Sequence, residues 1–346
     1  MSGSADFVYV GSYTGESGGE GEGIALLRRD RDTGDLTRLG LAARTPSPSF
    51  LARHPTLPVL YAVNELLLGA VSAFAVAPDG SLEPIATGQT GGGHPCHLAL
   101  TRDGRHLLAA NYSSGSVSVL PLGPDGRPGE RTDLIDLDGQ GPDPERQKAP
   151  HAHMVLPDDT GHVLIADLGS DRVWRARLDP LSGRLTGLTA AIVAEPGTGP
   201  RHLRPAPDGA VLLVGELSGE LSWYRPGNGG LERRGARQIT STTGVNYPSE
   251  LAVGRDGRFV YVANRGPDTI AIFGWDGDTA SRVGEVPTGG TWPRHIALIG
   301  DHLYVANERS HSVTVLRIDP ETGLPTPQGE PVQEPSPTCF LRWERA

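Results

Sequence analysis

Short apolar runs separated by turn residues fill the chain, and each run is the length of a strand rather than a helix. The runs recur in a fixed order. A Pro is followed by an apolar run, an Arg-Asp-Gly or Pro-Asp-Gly turn, and a second apolar run ending at Asn or a near equivalent. "PCHLALTRDGRHLLAANY" from Pro95 and "PSELAVGRDGRFVYVANR" from Pro248 show the unit in full. Next come a small polar turn and an alternating third strand, such as "SVSVL" (116–120) or "TIAIF" (269–273). A turn such as "DPETG" then leads to a polar fourth strand. The anchor prolines are Pro48, Pro95, Pro150, Pro200, Pro248, Pro293 and Pro337, spaced 44 to 55 residues apart. The last unit stops after "PTCFLRW", and its missing strands match "DFVYVGSYT" and "GIALLRRDRDTGDL" near the N-terminus. Units of this length with four strands are propeller blades. The pattern predicts an all-β, seven-bladed β-propeller, one blade closed by strands from both termini, as a single domain over 1–346.

Composition agrees: 47 Gly and 30 Pro supply turns, while aliphatic residues remain plentiful. No window approaches the 18 or so apolar residues of a transmembrane helix. No basic segment followed by an apolar run marks a secretory leader, and Cys96 and Cys339 do not make a disulfide framework. A cytoplasmic location is therefore expected. A formal net charge of −10 argues against a nucleic acid or an anionic membrane as partner. An anionic ligand must be held by a local arginine cluster. A monomer or weak homodimer is expected.

In a blade the first strand lines the channel and the second returns beside it, so residues after the anchor Pro meet residues ending the second strand at one mouth. The column after the Pro reads Ser49, Cys96, His151, Arg201, Ser249, Arg294, Thr338. The next reads Phe50, His97, Ala152, His202, Glu250, His295, Cys339. The third is apolar except at His153, which is either a satisfied core histidine, a bulged residue turned outward, or a functional group. The end of the second strand reads Ser12, Asn64, Asn111, Asp167, Glu216, Asn264, Asn307, where Asn is the default turn former. Arg265 follows in the next column.

The departures from the repeat are His151, His153, Arg201, Glu216, Arg265 and Arg294, and they gather at one mouth. Imidazole can act as base toward water near neutral pH. Arginine can bind carboxylate or phosphate and stabilise an oxyanion. Glu216 can orient Arg201 or a histidine, or act itself as acid or base. The alternative is an Arg–Glu network that braces the blades. His202 and His295 recur in type with His97; they are counted as substrate-binding candidates, with a scaffold role as the alternative. No nucleophile elbow, phosphate loop or zinc-protease motif is present. "GGEGEG" (18–23) reads as a surface loop. His94/His97 and His151/His153 have metal spacing but lack further ligands, so no metal and no cofactor are expected. Oxygen ligands for Ca²⁺ from the Asn/Asp column are the alternative.

"PHAHMVLPDDTGHVLIADLGSDRV", "GPRHLRPAPDG", "VANRGPDTIAIF" and "PRHIAL…YVANERSHSVTVL" resemble the propeller-type 6-phosphogluconolactonases. That lactonase family also contains the carboxymuconate lactonizing enzymes. The resemblance spans "VYVGSYT" to "PSPTCFLRW". It implies a metal-independent site acting on a small anionic lactone, with His153, Arg201, Glu216 and either Arg265 or Arg294 as catalytic groups. The expected activity is hydrolysis of 6-phosphogluconolactone. The alternatives are a lactone-forming cyclase, a Ca²⁺-dependent propeller lactonase and a non-catalytic binding propeller.

Overall fold

The computed structural model describes residues 5–227 and 229–344. They form seven antiparallel four-stranded sheets. Six sheets are consecutive in sequence, and their innermost strands are Leu51–Arg53, Pro95–Leu100, Ala152–Pro157, Pro200–Pro205, Tyr247–Val253 and Pro293–Ile299. In the seventh, Pro337–Trp343 pairs with Ala5–Ser12, which continues to Gly23–Asp30 and Leu36–Arg44. Neighbouring inner strands contact one another around the ring, from the 51–53 strand to the 337–343 strand and back. The expected propeller and its two-terminus blade are both present.

The core lies between blades rather than within one. Second and third strands are buried on both faces, as in "HLLAAN" and "SVSVL", because each sheet packs between two others. The fourth strands are the least buried of each blade, and "PTPQGEPVQ" is mostly exposed and correspondingly polar. Both cysteines are free and buried.

One local device aims the inner strands at the channel. The residue before the anchor Pro is left-handed in five blades: Ser47, His94, Gly199, Trp292 and Ser336, with φ from 41° to 64°. Four of these are not glycine, a conformation that costs of order 1–3 kcal/mol each. This strain is concentrated at one mouth.

Candidate active site

Strand pairing fixes which residues share a level at that mouth. Pro95 pairs with Asn111, Pro200 with Gly215, Pro248 with Asn264, Pro293 with Asn307 and Pro337 with Ser12. In the third blade the partner of Asp167 is Ala152, not Pro150. The sequence columns therefore need two corrections. His153, not His151, is level with Arg201, so it is no intruder in an apolar column. Gly215 ends its strand, so Glu216 stands one residue further out, level with Arg265 rather than with the asparagines.

The corrected arrangement is three stacked rings. The rim is Tyr13, Glu65, Tyr112, Leu168, Glu216, Arg265 and Glu308. Below it lie Ser49, Cys96, His153, Arg201, Ser249, Arg294 and Thr338. Deeper still are Phe50, His97, Met154, His202, Glu250, His295 and Cys339. Register shifts at Pro95/His97, Ala152/Met154, Pro200/His202 and Pro293/His295 leave Cys96, His153, Arg201 and Arg294 as bulged residues. A strand normally sends successive side chains to opposite faces; a bulge re-aims one. Arg201 and His202, adjacent in sequence, consequently line one void, and so do Arg294 and His295. That void is small, about 10 Å³, with room for on the order of one ordered water, and His153 forms part of its wall.

Glu216 is the electrostatic hub. Its Oε2 accepts from Arg201 Nε at 2.9 Å and from Arg265 Nη2 at 2.8 Å, and its Oε1 accepts from Arg146 Nη2 at 2.8 Å. Burial alone would raise the Glu216 carboxyl, but Arg265, Arg201 and Arg146 outweigh it and hold the group well below the usual carboxylate range. Arg201 is pushed down to about 10 by burial and by Arg265, and stays charged at neutral pH. Arg201 also donates to Ser249 O, and Arg265 Nε to Tyr247 O at 2.8 Å.

Arg294 belongs to a second cluster. It donates to the Tyr13 hydroxyl and lies 3.5 Å from Glu308 Oε2, while its guanidinium sits 4.8 Å from the Tyr13 ring centre. Tyr13 in turn donates to Glu65 Oε1 at 2.9 Å, and Ser49 donates to Glu65 Oε2. Of the two arginines left open by the sequence, Arg294 lines the void and Arg265 braces Glu216 from the rim.

His151 is not brought into the void. Its ring stacks on Tyr112 at 4.5 Å, and Nδ1 lies 2.9 Å from Tyr112 O. His153 is buried, and burial together with Arg201 pushes its pKa well below the histidine value. His202 and His295 are held down to about 4, mainly by burial, so all three imidazoles on the void are neutral at pH 7.

Arg146 was missed by the sequence reading. It sits on the connection between strands Asp133–Asp136 and Ala152–Pro157, outside any repeat column. Gln147 anchors that connection by donating to Leu168 O at 2.8 Å and Asp171 Oδ1 at 2.7 Å. The detectable signal was the interval from Pro95 to Pro150, the longest between anchors. Tyr13 and Glu65 were also missed, because tyrosine or glutamate on a polar rim attracts no notice.

Side chains of the Asn/Asp column bond within their own blades. Asn111 bonds Ser116 and Ser118, Asn307 bonds Thr314, and Asp167 accepts from the His151, Gly169 and Ser170 amides. Among the described residues no group of three or more His, Cys, Asp or Glu side chains is placed to hold a metal ion.

Residues 7–342 match the family described as lactonase, seven-bladed beta-propeller. The chain belongs to that family. It is 33% identical to a 6-phosphogluconolactonase of Bacillus subtilis over 96% of each chain. It is 30% identical to a 6-phosphogluconolactonase of Formosa agariphila, covering 91% of this chain and 93% of the relative. The solved structure of a periplasmic gluconolactonase of Pseudomonas aeruginosa superposes with a TM-score of 0.91 at 31% identity, covering 99% of both chains. The class of enzyme expected from the sequence, a lactone-hydrolysing carboxylic-ester hydrolase, follows from this membership. No helix among the described residues is long and apolar enough to cross a membrane.

Proposed function

We propose that the protein hydrolyses 6-phosphogluconolactone to 6-phosphogluconate without a metal ion. The observation that carries this reading is the convergence of Arg146, Arg201, Arg265 and Arg294 on one mouth of a chain whose net charge is −10. Buried like charges repel, so an arginine cluster of this kind is stabilised by an anion. The names of the Bacillus and Formosa relatives support the phosphorylated lactone.

In this reading Arg201 faces the lactone carbonyl and stabilises the oxyanion that forms when water attacks. Glu216 fixes the Arg201 fork and is itself fixed by Arg265. Arg294 and the half-exposed Arg146 take the phosphate. His153 and His202, both neutral and both on the wall of the void, flank the water. A second reading, hydrolysis of an unphosphorylated gluconolactone, is favoured by the likeness to the Pseudomonas periplasmic gluconolactonase.

A panel of aldonolactones with and without a phosphate, assayed by acid release with and without EDTA, separates the readings. The expected result is higher kcat/KM for the phosphorylated lactone and no effect of EDTA. Equal or better turnover of the unphosphorylated lactone favours the second reading, and loss of activity in EDTA removes the metal-free mechanism.

A further inference from the structure

The void beneath the arginines has on its wall an imidazole with support that His153 lacks. His202 Nδ1 lies 3.0 Å from Oε2 of the fully buried Glu250. A carboxylate only accepts, so Nδ1 carries the proton and Nε2 keeps its lone pair. No described protein group bonds Nε2, and the ring lines the void. Glu250 is itself held in place, because Oε1 accepts from the Leu251 amide at 3.0 Å and from Arg204 Nη2 at 3.4 Å. His295 Nε2 lies 3.6 Å from Glu250 Oε2 on the other side.

His153 differs on each count. Its ring packs edge-on against Tyr112 and His202, but its Nδ1 is buried with no partner, so no hydrogen bond there sets its tautomer. The charges that act on it are Arg201, Arg294 and Arg265, and a proton taken up there is repelled. A proton taken up by His202 is also repelled, by Arg201 and Arg204, but it faces the Glu250 carboxylate, which opposes that repulsion. An imidazole between a carboxylate on one nitrogen and a reactant on the other is the arrangement general-base catalysis uses.

We propose that His202, oriented by Glu250, is the general base of the reaction and that His153 is a neutral wall of the same water site. The proposal rests on the lactonase reading. Water in the void gives a proton to His202 Nε2 as its oxygen bonds the lactone carbonyl carbon, and the carbonyl oxygen becomes an oxyanion facing Arg201. The intermediate collapses, the bond from carbonyl carbon to ring oxygen breaks, and the ring oxygen takes the proton back from Nε2. The new carboxylic acid then releases one proton to solvent, so the net reaction is lactone plus water to hydroxy-carboxylate plus a proton. Glu250 touches no reactant and is a positioning residue.

The test compares His202→Gln, His153→Gln and Glu250→Gln for kcat and KM on the lactone that the wild type turns over, with melting temperature as the folding check. His202→Gln is expected to lose about 100-fold or more in kcat with KM within about three-fold. Glu250→Gln should lose about ten-fold in kcat at constant KM, and His153→Gln less than His202→Gln. A His202→Gln kcat within about five-fold of wild type, or a larger loss in His153→Gln, overturns the proposal. Nitrogen-15 NMR of histidine-labelled wild type at pH 7 reads the dyad without turnover or mutation. The expected His202 has a protonated Nδ1 and a bare Nε2, and the opposite tautomer overturns the dyad. A wild type that hydrolyses no lactone sinks the functional reading instead, and the NMR result still judges the dyad.

Discussion

Arg201 and Glu216, fifteen residues apart in one blade, meet through Nε and Oε2 at 2.9 Å with both side chains buried. Glu216 does not depend on Arg201 for its charge, since Arg265 and Arg146 also hold it. Arg201→Ala is therefore expected to fold and to melt within a few degrees of wild type. Its kcat should fall about 10²–10³-fold, the usual cost of one oxyanion donor. Activity and melting curves on the same preparation check this; an unimpaired kcat would remove Arg201 from the chemistry.

Glu216→Gln acts in the opposite way. It strips the shared counter-charge from two buried guanidiniums, and breaking such a pair costs about 3–5 kcal/mol. Urea unfolding should show that loss, with inorganic phosphate restoring part of it by taking the place of the carboxylate.

Arg146 is the most exposed member of the cluster, at 34% side-chain exposure. Arg146→Gln should leave stability nearly unchanged and weaken kcat/KM for a phosphorylated lactone by about ten-fold, mostly through KM. An equal loss on the unphosphorylated lactone is the result that excludes Arg146 as a phosphate contact.

Acid should destabilise the fold in two stages. His97, His153, His202 and His295 have folded pKa values depressed chiefly by burial. In the unfolded chain they titrate near roughly 6.5. Below that pH the unfolded state binds protons that the folded state refuses, so stability falls as pH drops from about 6.5. Glu216 and Glu250 are also depressed in the fold, and their stabilisation is present above their unfolded values and lost only as pH falls through about 4 and below. Calorimetry from pH 8 to pH 4 should show the melting temperature declining before any carboxylate titrates. A flat profile down to pH 5 contradicts the burial of these imidazoles.

Asp6 closes the ring. It is buried, accepts from Arg31 Nε at 2.6 Å and Arg342 Nε at 2.8 Å, and so joins the first strand to the last. Asp6→Asn should cost about 1.5–3 kcal/mol, the range for hydrogen bonds to a charged group, measured by denaturant midpoint.

The blade count and the two-terminus closure are legible in the sequence, because each rests on a repeat sampled seven times. Levels within the mouth are not. "PHAH" carries a Pro that mimics the anchor and two histidines that mimic each other, and only the pairing of Ala152 with Asp167 shows which one stands beside Arg201. Glu216 misleads for a similar reason: Gly215 in the strand-end position is invisible to a search for Asn. Bulges pose a deeper limit, since alternation would separate Arg201 from His202 while the irregular register puts both on one void. Arg146 lies in a connection between blades, where a repeat carries no information.

The seventh blade gives the mouth Tyr13 from one end of the chain and Thr338 from the other. The ring and the mouth are thus closed by the same pair of strands, Ala5–Ser12 and Pro337–Trp343. For the same reason a chain truncated before Pro337 loses the partner of Ala5–Ser12, and closure of the ring and the wall that Thr338 gives the void are lost together.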